Sequence, residues 1–190
     1  MNFTLLNFEK INSNCIYIIF ILAIFSGCDN MASKPWETNY RIPDNTIPLH
    51  YDVYLFPNLE NQTFSGKVSI LIKTTEPRDF FVSHIQYLKI TKTELKNSDQ
   101  EIVPLEEAFE YDVNQFWVVV PSKSKNPVLP AGNYTLNLEF NGRLDRDILG
   151  FYMSTYTDAK GINHKMATSK FQPTYVEIKI LISSFKDFEI

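Results

Sequence analysis

Cysteine is nearly absent from this chain. Its 190 residues hold two, Cys15 and Cys28, both inside or at the end of one apolar stretch near the amino terminus. No disulfide framework can therefore hold the remainder together. A hydrophobic core must do so, and a chain of this length buries one. Glycine is scarce as well: six residues, dispersed, which excludes a Gly-rich loop that cradles phosphate. Positive charge is not in excess, with Lys+Arg 18 against Asp+Glu 22 and a formal net charge of -4. The signs are interspersed, so a basic stripe for nucleic acid is missing and no nucleic-acid partner is expected. Long apolar runs are missing too. The longest, Cys15 to Gly27, falls short of the roughly 20 apolar residues that a membrane-spanning helix needs.

That run, Ile16-Tyr17-Ile18-Ile19-Phe20-Ile21-Leu22-Ala23-Ile24-Phe25, carries no charge. Lys10 precedes it, and the small residues Ser26 and Gly27 close it. The layout is that of a secretory signal peptide over residues 1–28, with a short membrane anchor as the alternative. Phe25-Ser26-Gly27-Cys28 as a lipoprotein box is a third reading. Two glycosylation sequons suit a secretory route and a secreted or cell-surface destination: Asn61-Gln62-Thr63 in a polar turn and Asn133-Tyr134-Thr135 at the start of a strand. Asn2-Phe3-Thr4 also matches but falls in the leader.

Aromatic residues make up 14% of the chain, which suits strand packing. From Tyr40 onward the apolar period is two. Tyr134, Leu136, Leu138 and Phe140 alternate with Thr135, Asn137 and Glu139, the pattern of a half-buried antiparallel strand. Val68, Ile70 and Ile72 alternate likewise, and Tyr51, Val53 and Leu55 face away from Asp52, Tyr54 and Phe56. Tyr87 to Thr91 and Phe116 to Val120 add two β-rich runs. Pro57-Asn58, Ser65-Gly66, Pro130-Ala131-Gly132-Asn133 and Asn141-Gly142 read as turns between them. Val103 to Phe109 is the one stretch that reads as a short helix. The expected fold is all-β, an antiparallel β-sandwich or saddle-shaped sheet.

A metallopeptidase site needs two imidazoles on one helical face, a glutamate base and a third protein ligand. His50, His84 and His164 are far apart in sequence, and none has an acidic residue at ligand spacing. No Ser sits in Gly-x-Ser-x-Gly, and the acidic pair Glu106-Glu107 reads as solvated surface. The residues supply no catalytic group and no metal ligands, and no cofactor is expected in this chain.

Gly150-Phe151-Tyr152-Met153-Ser154-Thr155-Tyr156, followed by Met166-Ala167-Thr168-Ser169-Lys170-Phe171-Gln172-Pro173-Thr174-Tyr175, resembles a strip of the zinc aminopeptidase N family. Tyr40-Arg41-Ile42-Pro43, Ile47 to Val53 and Phe64 to Ile70 are similar to that family's first strands. His84, Leu88, Ile90 and Phe140-Asn141-Gly142-Arg143-Leu144 continue the series. The resemblance covers residues 36–175 and implies the family's amino-terminal β domain, an incomplete one here. It implies removal of amino-terminal residues from peptides by zinc-activated water in the full-length family, with peptide as substrate and other aminopeptidase chains as possible partners. The family's His-Glu-x-x-His and its Gly-Ala-Met-Glu-Asn loop are absent from these 190 residues.

In the family the strip lines the first specificity pocket and helps receive the peptide's α-amine. The corresponding positions are Lys170 and Gln172, a vestigial substrate-binding pair. A glutamine carbonyl accepts from an ammonium, whereas a lysine facing the same pocket repels it, more so in low dielectric. After Tyr175 the agreement stops: residues 176–190 match nothing in the family's continuation. The expectation is therefore a truncated, inactive aminopeptidase N-like chain. The rivals are a non-catalytic extracellular binding module or decoy, and a polypeptide that misfolds.

Export gives the first test. Expressed in a eukaryotic secretory cell, the chain should lose its first residues near Ser26 to Cys28 and shift in mass on glycosidase treatment. Amino-terminal sequencing that starts at Met1 on a cytosolic, unglycosylated product contradicts this.

Overall fold

The computed structural model describes residues 33–124, 128–146 and 150–170. The leader, both cysteines, Gln172 and the tail 176–190 lie outside the described residues.

The strands are β1 (Thr46–Asn58), β2 (Thr63–Thr74), β3 (Phe81–His84), β4 (Lys89–Lys96), β5 (Ile102–Val103), β6 (Leu105–Tyr111), β7 (Phe116–Pro121), β8 (Gly132–Arg143), β9 (Gly150–Thr157) and β10 (Asn163–Lys170). A single-turn helix, α1 (Pro35–Thr38), precedes them, and a 3-10 turn spans Asp112–Asn114. They form a five-stranded sheet in the order β1-β2-β8-β4-β5, a three-stranded sheet β3-β7-β6 and a two-stranded hairpin β9-β10. Every pairing is antiparallel. The all-β expectation holds.

The five-stranded sheet is buried on one face. Phe64, Val68, Ile70 and Ile72 of β2 and Tyr134, Leu136, Leu138 and Phe140 of β8 point inward, while the residues between them stay half-buried or exposed. That is the period-two pattern of a sheet with one wet face. Against it lies the three-stranded sheet, which contributes Phe81 and Val119, with Leu105, Ala108 and Trp117 at the margin. The Trp117 indole N–H donates to Thr93 Oγ1 of β4 at 3.0 Å, a polar tie between the two sheets. The bond gives the half-buried indole the partner that such a ring ordinarily finds.

The central strand of the small sheet is buried on both sides. Phe116, Val118 and Val120 point away from the main core and form a second cluster with Phe80, Val82 and Trp36. Helix α1 exists to place Trp36 there. Proline is well suited to its first position, and Asn114 Nδ2 donates to the Trp36 carbonyl at 2.6 Å. The Trp36 ring meets Phe80 edge-on at 5.2 Å. A side-chain tie closes the loops beside it. Arg78 lies over the Phe80 ring at 4.5 Å and donates to Asn45 Oδ1 at 2.8 Å. Desolvation lowers the pKa of that buried guanidinium.

Four sequence expectations need correction. Val103 to Phe109 is not a helix: it runs through β5 and into β6. Its apolar residues also fit a strand whose one face covers a core, and pairing of β6 with β7 decides the matter. Pro57-Asn58 ends β1, and the turn follows at residues 59–62. Ser65-Gly66 and Asn141-Gly142 are not turns either, since they lie inside the long strands β2 and β8. Gly66 stands opposite Phe140, and Gly142 opposite Phe64. Each phenylalanine ring lies over the glycine across from it. A Cβ on Gly66 would meet the Phe140 ring at 2.5 Å, and one on Gly142 the Phe64 ring at 2.4 Å. The glycines are there for space, since a ring covering a strand glycine restores the burial that the missing side chain forfeits.

Gly66→Ala and Gly142→Ala should each destabilise the fold by about 1–3 kcal/mol, the usual cost of overpacking. Phe140→Leu should partly rescue Gly66→Ala, because the two residues share one volume. Thermal unfolding of the four variants checks this. Additive effects in the double variant contradict it.

Candidate functional site: the β9–β10 hairpin

Hairpin β9–β10 carries the strip that motivated the functional expectation. Its register runs from Lys170 opposite Gly150 to Asn163 opposite Thr157. Gly150 enters at φ 70, a left-handed conformation that glycine takes without strain. At the far end Asp158 organises the turn. Its Oδ1 accepts from the backbone N–H of Lys160 and of Ile162, both at 2.9 Å. Gly161 supplies the positive φ of 78 that the turn demands.

Alternation along the strands separates two faces. Phe151 and Met153 turn to the sandwich and pack on its core. Phe151 meets Phe64 edge-on at 5.2 Å, and the Met153 N–H donates to the Leu144 carbonyl at 2.8 Å. The other face bears Tyr152, Ser154 and Tyr156 of β9 opposite Thr168, Met166 and His164 of β10. Lys170 belongs to this outer face and is exposed. The hairpin is thus fixed at its base and presents a face with two tyrosines, a methionine, an imidazole and a lysine.

His164 is held in place there. Its ring stacks on Tyr156 at 5.1 Å, and Nε2 lies 3.0 Å from Asp158 Oδ2. The hydrogen bond with His164 holds the Asp158 carboxyl below its ordinary value, aided by the N–H of Ile162. His50 is elsewhere, on the exposed edge strand β1 beside Asp52 at 3.2 Å. His84 ends β3 with its ring 4.6 Å from that of Phe116. The three histidines therefore sit on three different sheets. Among the described residues no three His, Cys, Asp or Glu side chains gather where they would hold a metal ion. The described donor set does not fit a zinc centre. Of the two expected substrate-binding residues, Lys170 is at the end of β10, and Gln172 lies outside the described residues.

The sequon residues are both exposed: Asn61 in the turn between β1 and β2, and Asn133 as the second residue of β8. They flank opposite ends of β2, because Asn133 pairs with Lys73 near its end. Among the described residues no helix is long and apolar enough to cross a membrane.

Residues 47–177 match the peptidase M1 N-terminal domain. The chain belongs to that family. Glutamyl aminopeptidase of Homo sapiens is 35% identical over 143 residues, covering 75% of this chain and 15% of that protein. Endoplasmic reticulum aminopeptidase 1 of Rattus norvegicus is 31% identical over 147 residues, 76% of this chain and 15% of that protein. Aminopeptidase A of Gloydius brevicauda is 30% identical over 155 residues, 80% of this chain and 16% of its own length. The chain therefore spans about 15% of the length of the relatives it matches.

The Asp158–His164 clasp has a pH signature. A carboxyl with a depressed folded-state pKa contributes stability above its unfolded pKa, and that contribution is lost as pH falls through the folded value. The turn should therefore hold at neutral pH and loosen below about pH 4, the ordinary range of an aspartate. The protection factors of the Lys160 and Ile162 amides, exchange rates corrected for the intrinsic pH dependence, should fall there, and Asp158→Asn should flatten the response. Protection that persists through that window in the native chain contradicts the assignment.

Proposed function

We propose that residues 36–175 act as the amino-terminal β domain of an aminopeptidase N-like zinc peptidase, and that the 190-residue chain by itself is catalytically inactive. One observation carries the reading. The Gly150 to Lys170 strip forms a hairpin anchored by Phe151 and Met153, with Lys170 on the face turned away from the sandwich. In this reading the outer face is one wall of a substrate pocket, to which the family resemblance also assigns Gln172. The wall opposite, with its metal and general base, comes from residues that this sequence does not contain. A secretory route and an extracellular or cell-surface location go with it, supported by the apolar leader, the exposed sequons and a relative named for the endoplasmic reticulum.

Charge sharpens the proposal. A lysine in that wall disfavours the substrate's α-ammonium but suits an acidic side chain, and one matched relative is named glutamyl aminopeptidase. Acidic amino-terminal residues are the substrates that Lys170 would favour.

Purified chain supplied with zinc should release no amino-terminal residue from chromogenic aminoacyl substrates. Chelator-sensitive turnover with one zinc per chain overturns the inactive reading. Residues 36–175 exchanged for the matching segment of human glutamyl aminopeptidase should support activity. In that chimaera Lys170→Gln should lower kcat/KM for a glutamyl substrate by about two- to fivefold, the scale of an exposed charge pair, and leave an alanyl substrate unchanged. An inactive but folded chimaera argues for the binding-module alternative.

A further inference from the structure

The wet face of the five-stranded sheet carries a second feature. Register places Phe56, Ser65, Asn141 and Lys89 in one row across β1, β2, β8 and β4. Together with Tyr87 and Arg143 they line an open groove of about 560 Å³. That volume is within the range of small-molecule sites. Small polar side chains occupy the middle of the row, with an aromatic ring at one end and a cation at the other.

The rims are unusual for a solvated sheet. Phe56 is 56% exposed and Tyr87 50% exposed. Tyr87 is held at φ 62, in the left-handed region that a bulky residue rarely occupies. The Arg146 guanidinium lies 3.6 Å over its ring, an arrangement that fixes the ring and adds charge beside it. Arg143 is paired with Asp145 through two contacts, which orients it. Among the described lining residues there is no carboxylate, although the chain as a whole is acidic. The carboxylates further along this face are engaged, Glu139 with Lys67 at 3.3 Å and Glu94 with Lys96 at 3.2 Å.

We infer that this groove binds an acidic oligosaccharide, with Lys89 receiving its sulfate or carboxylate group. Phe56 and Tyr87 offer flat apolar rims for the C–H faces of sugar rings. Ser65 and Asn141 supply donors and acceptors for hydroxyl groups. A peptide is the weaker fit. The groove floor is made of β2 and β8, whose backbone groups are already paired on both sides. A peptide backbone lying across that floor would find no strand edge to extend, because the free edge of β1 lies at the rim, whereas hydroxyl-rich ligands need side chains alone. The inference rests on the sheet and is independent of the aminopeptidase reading.

The test is titration of the full chain with a heparin tetrasaccharide, followed by calorimetry and amide chemical shifts. Binding should perturb Ser65 and Asn141. Lys89→Gln and Phe56→Ala should each weaken it by about fivefold or more, with unchanged thermal unfolding because both side chains are exposed. Lys92→Gln removes the same charge from the same strand outside the groove, and should change affinity less than about twofold. The chemically desulfated tetrasaccharide should bind more weakly than the native one. No binding, an equal loss in Lys92→Gln, equal binding of the desulfated sugar, or tighter binding of a hexaglutamate peptide would each overturn the inference.

Discussion

The pairing of β2 with β8 is the constraint on which the rest of the structure depends. It runs without a bulge from Thr63 opposite Arg143 to Thr74 opposite Gly132, and these strands supply most of the buried face of the large sheet. Because side chains alternate with a period of two, a slip of one residue would turn all of them to water. The reciprocal pairs Phe64–Gly142 and Gly66–Phe140 help prevent that slip. Each ring fits only over a residue without a Cβ, so the register is locked by shape as well as by burial. Leu136 and Leu138, nearly inaccessible to solvent, add about 1.5–3 kcal/mol each on burial. They do so in any register that faces them inward, so the glycine pairs choose among registers that burial alone leaves open.

From that pairing the outlying parts take their positions. Phe64 of β2 meets Phe151 of β9, so the ring that covers Gly142 also seats the hairpin. The Leu144 carbonyl, just past the end of β8, receives the Met153 N–H. The hairpin's outer face, with Lys170 at its base, therefore inherits its orientation from the core strands. Across the sandwich, β7 is buried on both sides and needs a cover that the small sheet lacks. Trp36 supplies it from before the first strand. The wet face remains free for polar rows, and one of these, between Phe56 and Lys89, departs from ordinary surface by joining exposed rings to cations.

Much of the fold was legible in the sequence because antiparallel strands with one wet face write their period directly into it. Tyr134 to Phe140 and Tyr51 to Phe56 read correctly for that reason. Gly66 and Gly142 misled, since glycine signals a turn locally and only the ring across the strand explains its presence. The stretch Val103 to Phe109 misled because a short half-polar segment suits a helix or a strand until a partner is present. The hairpin was recognisable from its resemblance to a family. Its two-faced division, and the place of Lys170 on the outer face, required the register with β9.

The sequence by itself determined the all-β class, the absence of a histidine–glutamate helix and the family to which residues 47–177 belong. Each is a local property: periodicity, spacing or an ordered series of short patterns. Tertiary structure alone decided which residues meet. Phe56 and Lys89 are 33 positions apart (89 − 56) and share a row only because four strands align them. His50, His84 and His164 are just as distant in sequence, and the same topology keeps them on separate sheets. Strand order is a long-range outcome of burying apolar faces together, and no local pattern specifies it.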